Sequence, residues 1–153
     1  MLVRPLRPDD RAWKRATLER TWGSSSVARL GELVDAADLP GFVAVDGQDA
    51  VGLLTYAERS DGIEVVTIEA SVTRRGAGRA LMDAVFERGA GVGAPRVWLV
   101  TTSDNEGAIA FYGACRMTRA EVVAGGVAVS RRVNPSIPAE VGPDELVFER
   151  SIG

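Results

Sequence analysis

The segment from Val65 to Met82 constrains this chain most. An apolar strand containing Val65, Val66 and Ile68 runs into Arg74-Arg75-Gly76-Ala77-Gly78-Arg79-Ala80, and a helix opens there. Glycines let the backbone approach an anion closely, and the first turn of a helix leaves N–H groups unpaired beside a partial positive charge. A diphosphate fits such a corner. Two glycines between a strand and a helix also serve packing alone, so both readings stand at this point. Two better-known phosphate loops fail on residue type. A P-loop ends in Gly-Lys-Ser/Thr, whereas the only lysine here is Lys14. A dinucleotide fingerprint needs a small residue three places after Gly78 and an acidic residue closing the next strand. This chain has Leu81 and then Thr101, Thr102 and Ser103 at those places.

Periodicity and turn chemistry predict the order of elements. A strand at Leu2 to Pro5 precedes a helix from Asp9 or Asp10 to about Arg20, and a second helix is expected after a cap at one of Ser24 to Ser26. That second helix rests on the spacing of Val27, Leu30, Val34 and Ala37, and it ends before Pro40-Gly41. Phe42 to Val45 and Val51 to Ala57 read as a hairpin about Asp46-Gly47, and Ser60-Asp61-Gly62 turns the chain into a strand from Ile63 to Val72. The helix after the glycines carries an apolar stripe of Leu81, Met82, Val85, Phe86 and Gly89 and leads to a strand at Val97 to Thr101, a parallel crossover. A helix from Asn105 follows, then strands at Glu121 to Ala124 and Glu145 to Arg150. Between those strands Val127 to Val133 is the place for a short helix, and Pro135, Pro138 and Pro143 mark loop.

Composition excludes several classes of function. A chain of 153 residues with 46% hydrophobic and 25% charged residues reads as one globular domain, 1–153. Apolar runs fall short of the ~18 residues of a membrane span, and the N-terminal segment has no signal-peptide core, so a cytoplasmic protein with no membrane partner is expected. A net charge of −3 and scattered arginines argue against nucleic acid as a partner. The single cysteine, Cys115, excludes an internal disulfide, and the absence of histidine removes Ser-His-Asp and Cys-His systems and the usual zinc sites. No metal is expected. A general base must be a carboxylate, a tyrosine, a water chain or the substrate itself.

The glycine segment resembles the pattern Gln/Arg-x-x-Gly-x-Gly/Ala of the GNAT superfamily of acyl-CoA-dependent N-acyltransferases, met by Arg75, Gly78 and Ala80. Downstream, Asn105-Glu106-Gly107-Ala108-Ile109-Ala110-Phe111-Tyr112 is similar to that family's Asn-x-x-Ala-x-x-Phe-Tyr helix. Two motifs in the right order, one helix and one strand apart, are far more specific than either alone. Trp22-Gly23-Ser24, residues 39–43, 51–56 and 101–105, and Pro135-Ser136-Ile137-Pro138 are also similar to a bacterial branch of the superfamily, so the resemblance spans nearly the whole chain. One departure is Arg116-Met117, where the family's helix usually ends in Gly-Phe; another is a short, proline-free link into the glycines.

The resemblance implies an α/β (α+β) fold of GNAT type, a mixed central sheet of about six to seven strands with helices on both faces. It also implies acetyl-CoA as co-substrate, its arm lying in a splay between the strands Ile63 to Val72 and Val97 to Thr101. The cofactor contacts would come from Ile68, Glu69, Ala70, Arg74, Arg75, Gly76, Ala77, Gly78, Arg79, Ala80, Asn105 and Tyr112. A bulge in the first of those strands would free N–H groups near Ile68 to Ala70 for the thioester carbonyl. Tyr112 is the carried-over acid for the leaving thiolate, and it stands seven residues from Asn105, close to two helical turns, so that both face one way.

Glu64 and Glu69 are the two candidates for the base. Strict alternation puts them on opposite faces of the strand, while one bulge between them brings them to the same face. The plain alternatives remain open at this stage. Tyr112 can also be read as a core aromatic, Asn105 as an N-cap, either glutamate as a solvated strand charge, Cys115 as a small core residue, and the three arginines as solvated. The expected activity is acetyl transfer to a primary amine of a small-molecule acceptor by direct attack. The alternatives are a non-catalytic acyl-CoA-binding or partner-binding module and transfer of a longer acyl group. The segment from Gly125 to Gly142 and the last strand would offer surface for a homodimer.

Overall fold

The apolar alternation of the strand segments is satisfied by one sheet with a helical layer on each face. The computed structural model describes residues 1–71 and 76–152. Its strands are β1 (Leu2–Pro5), β2 (Ser26–Arg29), β3 (Glu32–Asp35), β4 (Gly41–Asp46), β5 (Asp49–Arg59), β6 (Gly62–Ala70), β7 (Arg96–Thr102), β8 (Thr118–Val123) and β9 (Glu145–Ser151). Its α-helices are α1 (Arg11–Trp22), α2 (Ala77–Gly91), α3 (Glu106–Ala114) and α4 (Gly126–Val133). Seven strands form a mixed sheet in the order β1-β4-β5-β6-β7-β9-β8, in which, among the described residues, only β6 and β7 pair in parallel. Among the described residues no helix is long and apolar enough to cross a membrane.

Adjacent residues on β5 show how the layers divide. Leu54 packs into the larger core with Leu81, Met82 and Val85 of α2 and Tyr112 of α3, while Leu53 faces Leu18 of α1 and Ala36. All five residues of the expected α2 stripe are buried. The carbonyl of Glu19 takes the N–H of Gly23, whose φ of 81° ends α1 in the left-handed conformation glycine permits. Arg116 does the same after α3 with φ 62° and no glycine, so an L-side chain is held where its Cβ crowds the backbone.

The second expected helix is corrected. Residues 26–35 form a two-stranded hairpin, β2 against β3, with Val27 opposite Val34 and Arg29 opposite Glu32. Its turn residues Leu30 and Gly31 have φ of 52° and 74°, the left-handed pair that a two-residue hairpin turn demands and that no α-helix contains. The helical spacing of Val27, Leu30 and Val34 was a coincidence, because tertiary partners hold this tip. Lys14, 7% exposed, anchors the exit from the hairpin by donating to the carbonyls of Ala37 (2.8 Å) and Leu39.

Other boundaries move by a few residues. β8 begins at Thr118 instead of Glu121, and the strand expected to reach Val72 is described to Ala70. The last strand lies inside the sheet between β7 and β9's other neighbour β8, so the free edge on that side belongs to β8. Two substitutions test this packing. Leu81→Ala, at a fully buried position, should lower the unfolding free energy by about 2–5 kcal/mol in urea titration. Arg116→Gly should raise it by up to about 1 kcal/mol, since glycine relieves the left-handed strain at some cost in chain entropy.

Candidate active site

The site begins where two strands part. β6 and β7 pair only from Ile63 with Val97 to Val65 with Leu99, yet β6 continues to Ala70 and β7 to Thr102. β5 pairs β6 as far as Ala70, and β9 pairs β7 as far as Thr102, so each strand is held straight from its outer side while its inner edge loses its ladder partner. On β6 the register shifts once: Thr67 opposes Thr55 and Val65 opposes Tyr56, which leaves Val66 as the extra residue of a bulge.

A cavity of about 480 Å³ fills the opening, lined on the sheet by Glu64, Val66 and Ile68 of β6, by residues 99–102 of β7, and by Asn105 and Tyr112 of α3. Its outer wall is Trp22 and residues 27–29 of the hairpin. A second cavity of about 320 Å³ runs from Ile68, Glu69, Ala70 and Ser71 to Gly76, Ala77 and Gly78 at the head of α2. Ile68, Ala108 and Tyr112 line both, so one path leads from the glycines to the parted strands.

The two glycines have different physical reasons. Gly76 precedes α2 with φ 87°, and a Cβ there would meet nothing. A Cβ at Gly78 would come within 3.1 Å of the Phe111 ring, so this glycine lets α3 pack on α2. Helix geometry leaves the N–H groups of Ala77, Gly78 and Arg79 without intrahelical acceptors. The Arg79 guanidinium donates to the carbonyl of Ala114 (3.0 Å) and reaches Asp83, and neither Arg79 nor Ala80 lines these cavities. Arg74 and Arg75 lie outside the described residues.

Asn105 caps a helix and borders a cavity. Its Oδ1 accepts from the N–H of Ala108 (3.1 Å), capping α3, and its side chain also lines the larger cavity with Tyr112. Tyr112 is 8% exposed, packed on Phe111 and Phe148 with ring centroids 5.4 Å and 6.1 Å away. Burial, with Cys115 adding to it, pushes its hydroxyl up to about 12. Cys115 itself is fully buried with its thiol pushed up by burial, the behaviour of a core residue.

The bulge at Val66 brings Glu64 and Glu69 to one face: Glu64 opposes Ala57 and Glu69 opposes Leu53, four residues apart on β5. Their surroundings differ sharply. Glu64 is 1% exposed, and its carboxylate accepts from Arg29 Nε (2.8 Å), Arg29 Nη2 (2.6 Å) and Arg59 Nε (2.7 Å). Glu69 is half-buried, its Oε2 has no hydrogen-bond partner among the described residues, and burial raises its carboxyl against the opposing charge of Arg20. It lines the smaller cavity and also a third, of about 360 Å³, with Trp13, Thr17 and Arg20 of α1.

Sequence reasoning missed Arg29, Arg59, Ser130 and Glu145. Glu145, 3% exposed, accepts from the Leu30 N–H (3.1 Å) and the Ser130 hydroxyl (2.9 Å), and Ser130 Oγ accepts from the Gly31 N–H (3.0 Å). These bonds pin the hairpin tip across 99 residues or more of chain, and no local pattern signals them. Among the described residues no cluster of His, Cys, Asp or Glu is arranged to hold a metal ion.

Comparison with known proteins agrees with this geometry. The model of the Acetyltransferase (GNAT) family matches residues 8–115. A Bacillus subtilis protein, YdhI, whose activity its name leaves open, is 32% identical over 137 residues, 86% of this chain and 86% of its own. Two solved structures share the fold. One is a Bacillus subtilis acetyltransferase in complex with CoA, with TM-score 0.69 and 12% identity over 99% of this chain and 98% of that one. The other is the Escherichia coli ribosomal-protein-S18-alanine N-acetyltransferase, with TM-score 0.68 and 14% identity over 99% and 94%. With parted strands, a glycine-led helix and a buried tyrosine where the two cavities meet, and with a family match across more than two thirds of its length, the chain belongs to the GNAT acetyltransferase family.

Proposed function

We propose that this protein transfers the acetyl group of acetyl-CoA to a primary amine of a small-molecule acceptor by direct attack on the thioester. The observation that carries this reading is the inner edge of β6 left open beyond Val65, beside a cavity path that ends at Tyr112. Unpaired backbone groups on such an edge suit the amides of a pantetheine arm, which would add to β6 as a strand does. The N–H groups of Ala77 and Gly78 suit the pyrophosphate, with Arg74 and Arg75 as further candidates. Acetyl carbonyl polarisation falls to backbone N–H groups near residues 68–70, below the Val66 bulge.

Tyr112 serves the departing thiolate as a hydrogen-bond donor. A phenol held at about 12 gives its proton to a thiolate of ordinary pKa, about 8.5, only against a gradient of several powers of ten. The tyrosine therefore stabilises charge, and the proton that ends on CoA comes from the attacking amine. Of the two carboxylates, Glu69 has the chemistry of a base, because its buried oxygen has no partner among the described residues and desolvation favours taking up a proton. Glu64 is assigned a positioning role, since two guanidiniums already occupy both its oxygens.

Calorimetric titration with acetyl-CoA, followed by an amine panel read by thiol release, tests the proposal. Binding without amine-dependent release would support a non-catalytic module instead. Tyr112→Phe should bind acetyl-CoA normally while kcat falls by roughly 10²-fold. Glu69→Gln should abolish the acidic limb of the kcat/KM profile, a limb displaced above the ordinary carboxylate range. The same variant should be more stable than wild type at neutral pH. A carboxyl raised on folding binds more protons in the native state, so its contribution fades as pH rises from its unfolded value through the folded one. Melting temperatures at pH 5 and pH 7.5, with the larger gain at the higher pH, check this sign.

A further inference from the structure

The charges around the larger cavity do not balance. The charged residues lining it are Arg29, Glu64, Asp104 and Glu145. Arg29 and Glu64 belong to a cluster with Arg59, which donates to Glu64, and with Glu32, 3.7 Å from Arg29. Two guanidiniums against two carboxylates leave that cluster neutral. Asp104 and Glu145 have no such match: among the described residues neither forms an ion pair, and their hydrogen bonds come from neutral donors. Glu145, 3% exposed, is served by the Leu30 N–H and the Ser130 hydroxyl. Asp104, exposed at the rim, accepts from the Gly142 N–H (3.1 Å), and the Thr102 hydroxyl holds its carboxyl below the usual range.

A carboxylate buried among neutral donors projects its field into the adjoining cavity, where water screens least. Trp22 lines the same cavity, 43% exposed, with an aromatic surface of the kind that attracts an ammonium group. We infer that the acceptor is an aliphatic amine carrying a second cation, whose far ammonium group is held between Asp104, Glu145 and the Trp22 ring while the near amine reacts. This rests on the acetyl-transfer reading above and names its substrate class.

Three probes on a four-carbon skeleton separate the charge from the chain: terminal diaminobutane, aminobutane and aminobutanoate, which end in a cation, a methyl group and an anion. With acetyl-CoA saturating, kcat/KM should fall in that order, the diamine leading the monoamine by roughly tenfold or more. Asp104→Asn, a change at an exposed position, should shrink that lead by raising KM for the diamine more than for aminobutane. Glu145→Gln should act in the same direction. Calorimetric titration of the diamine into the protein, with and without CoA, gives a reading independent of turnover. Equal use or equal binding of the three probes, a preference for the neutral or anionic one, or a lead that survives both variants would overturn the inference. Acetyl-CoA binding without diamine binding defeats this inference alone, whereas absence of acetyl-CoA binding defeats the proposed function.

Discussion

Everything in the site depends on where hydrogen bonding between β6 and β7 stops. Three residue pairs hold the strands together, and beyond Leu99 they diverge while each keeps its outer neighbour. Backbone polar groups turned to a cleft must find partners, so an open inner edge between two otherwise paired strands is a template for an amide-bearing chain. The bulge at Val66 sits at the start of that opening and shifts the phase of every residue after it. One inserted residue thereby sends Ile68 to the α2 side and sets Glu69 on the same side as Glu64.

The hairpin side of the larger cavity is built by long-range polar contacts more than by regular packing. Arg29 reaches Glu64 across 35 residues, and the hairpin tip is tied to Glu145 and Ser130 through backbone N–H groups. A buried ion pair contributes little net stability, but removing one member leaves a buried charge that costs about 3–5 kcal/mol. The Arg29–Glu64 contact therefore specifies where the hairpin sits and makes that wall unforgiving of change. With those charges spent on each other, Asp104 and Glu145 are the charged lining residues without an ion-pair partner among the described residues.

Burial also sorts the titrating groups. Tyr112 is desolvated until its hydroxyl remains protonated across the range in which amines attack, and Glu69 is desolvated until proton uptake becomes easier. Both shifts arise from lost water, and they push a donor and an acceptor in the directions their proposed roles require. Glu64 shows the opposite design, full burial answered by guanidinium contacts on both oxygens.

Residues close together in sequence carried most of the fold. The apolar stripe of α2, the β4–β5 turn near Gly47, the Asn105 cap and the seven-residue spacing to Tyr112 depend on backbone periodicity and local turn chemistry, which a linear chain displays directly. The same holds for the paired motifs that point to the GNAT family. The hairpin at residues 26–35 was illegible because Val27, Leu30 and Val34 fit a helical period equally well. Its actual conformation was decided by Glu145 and Ser130, about a hundred residues away. The bulge, the commitment of Glu64 to two arginines and the charge excess of the cavity belong to the tertiary structure alone. Each is set by which distant strands and side chains meet, and local periodicity carries no record of those meetings.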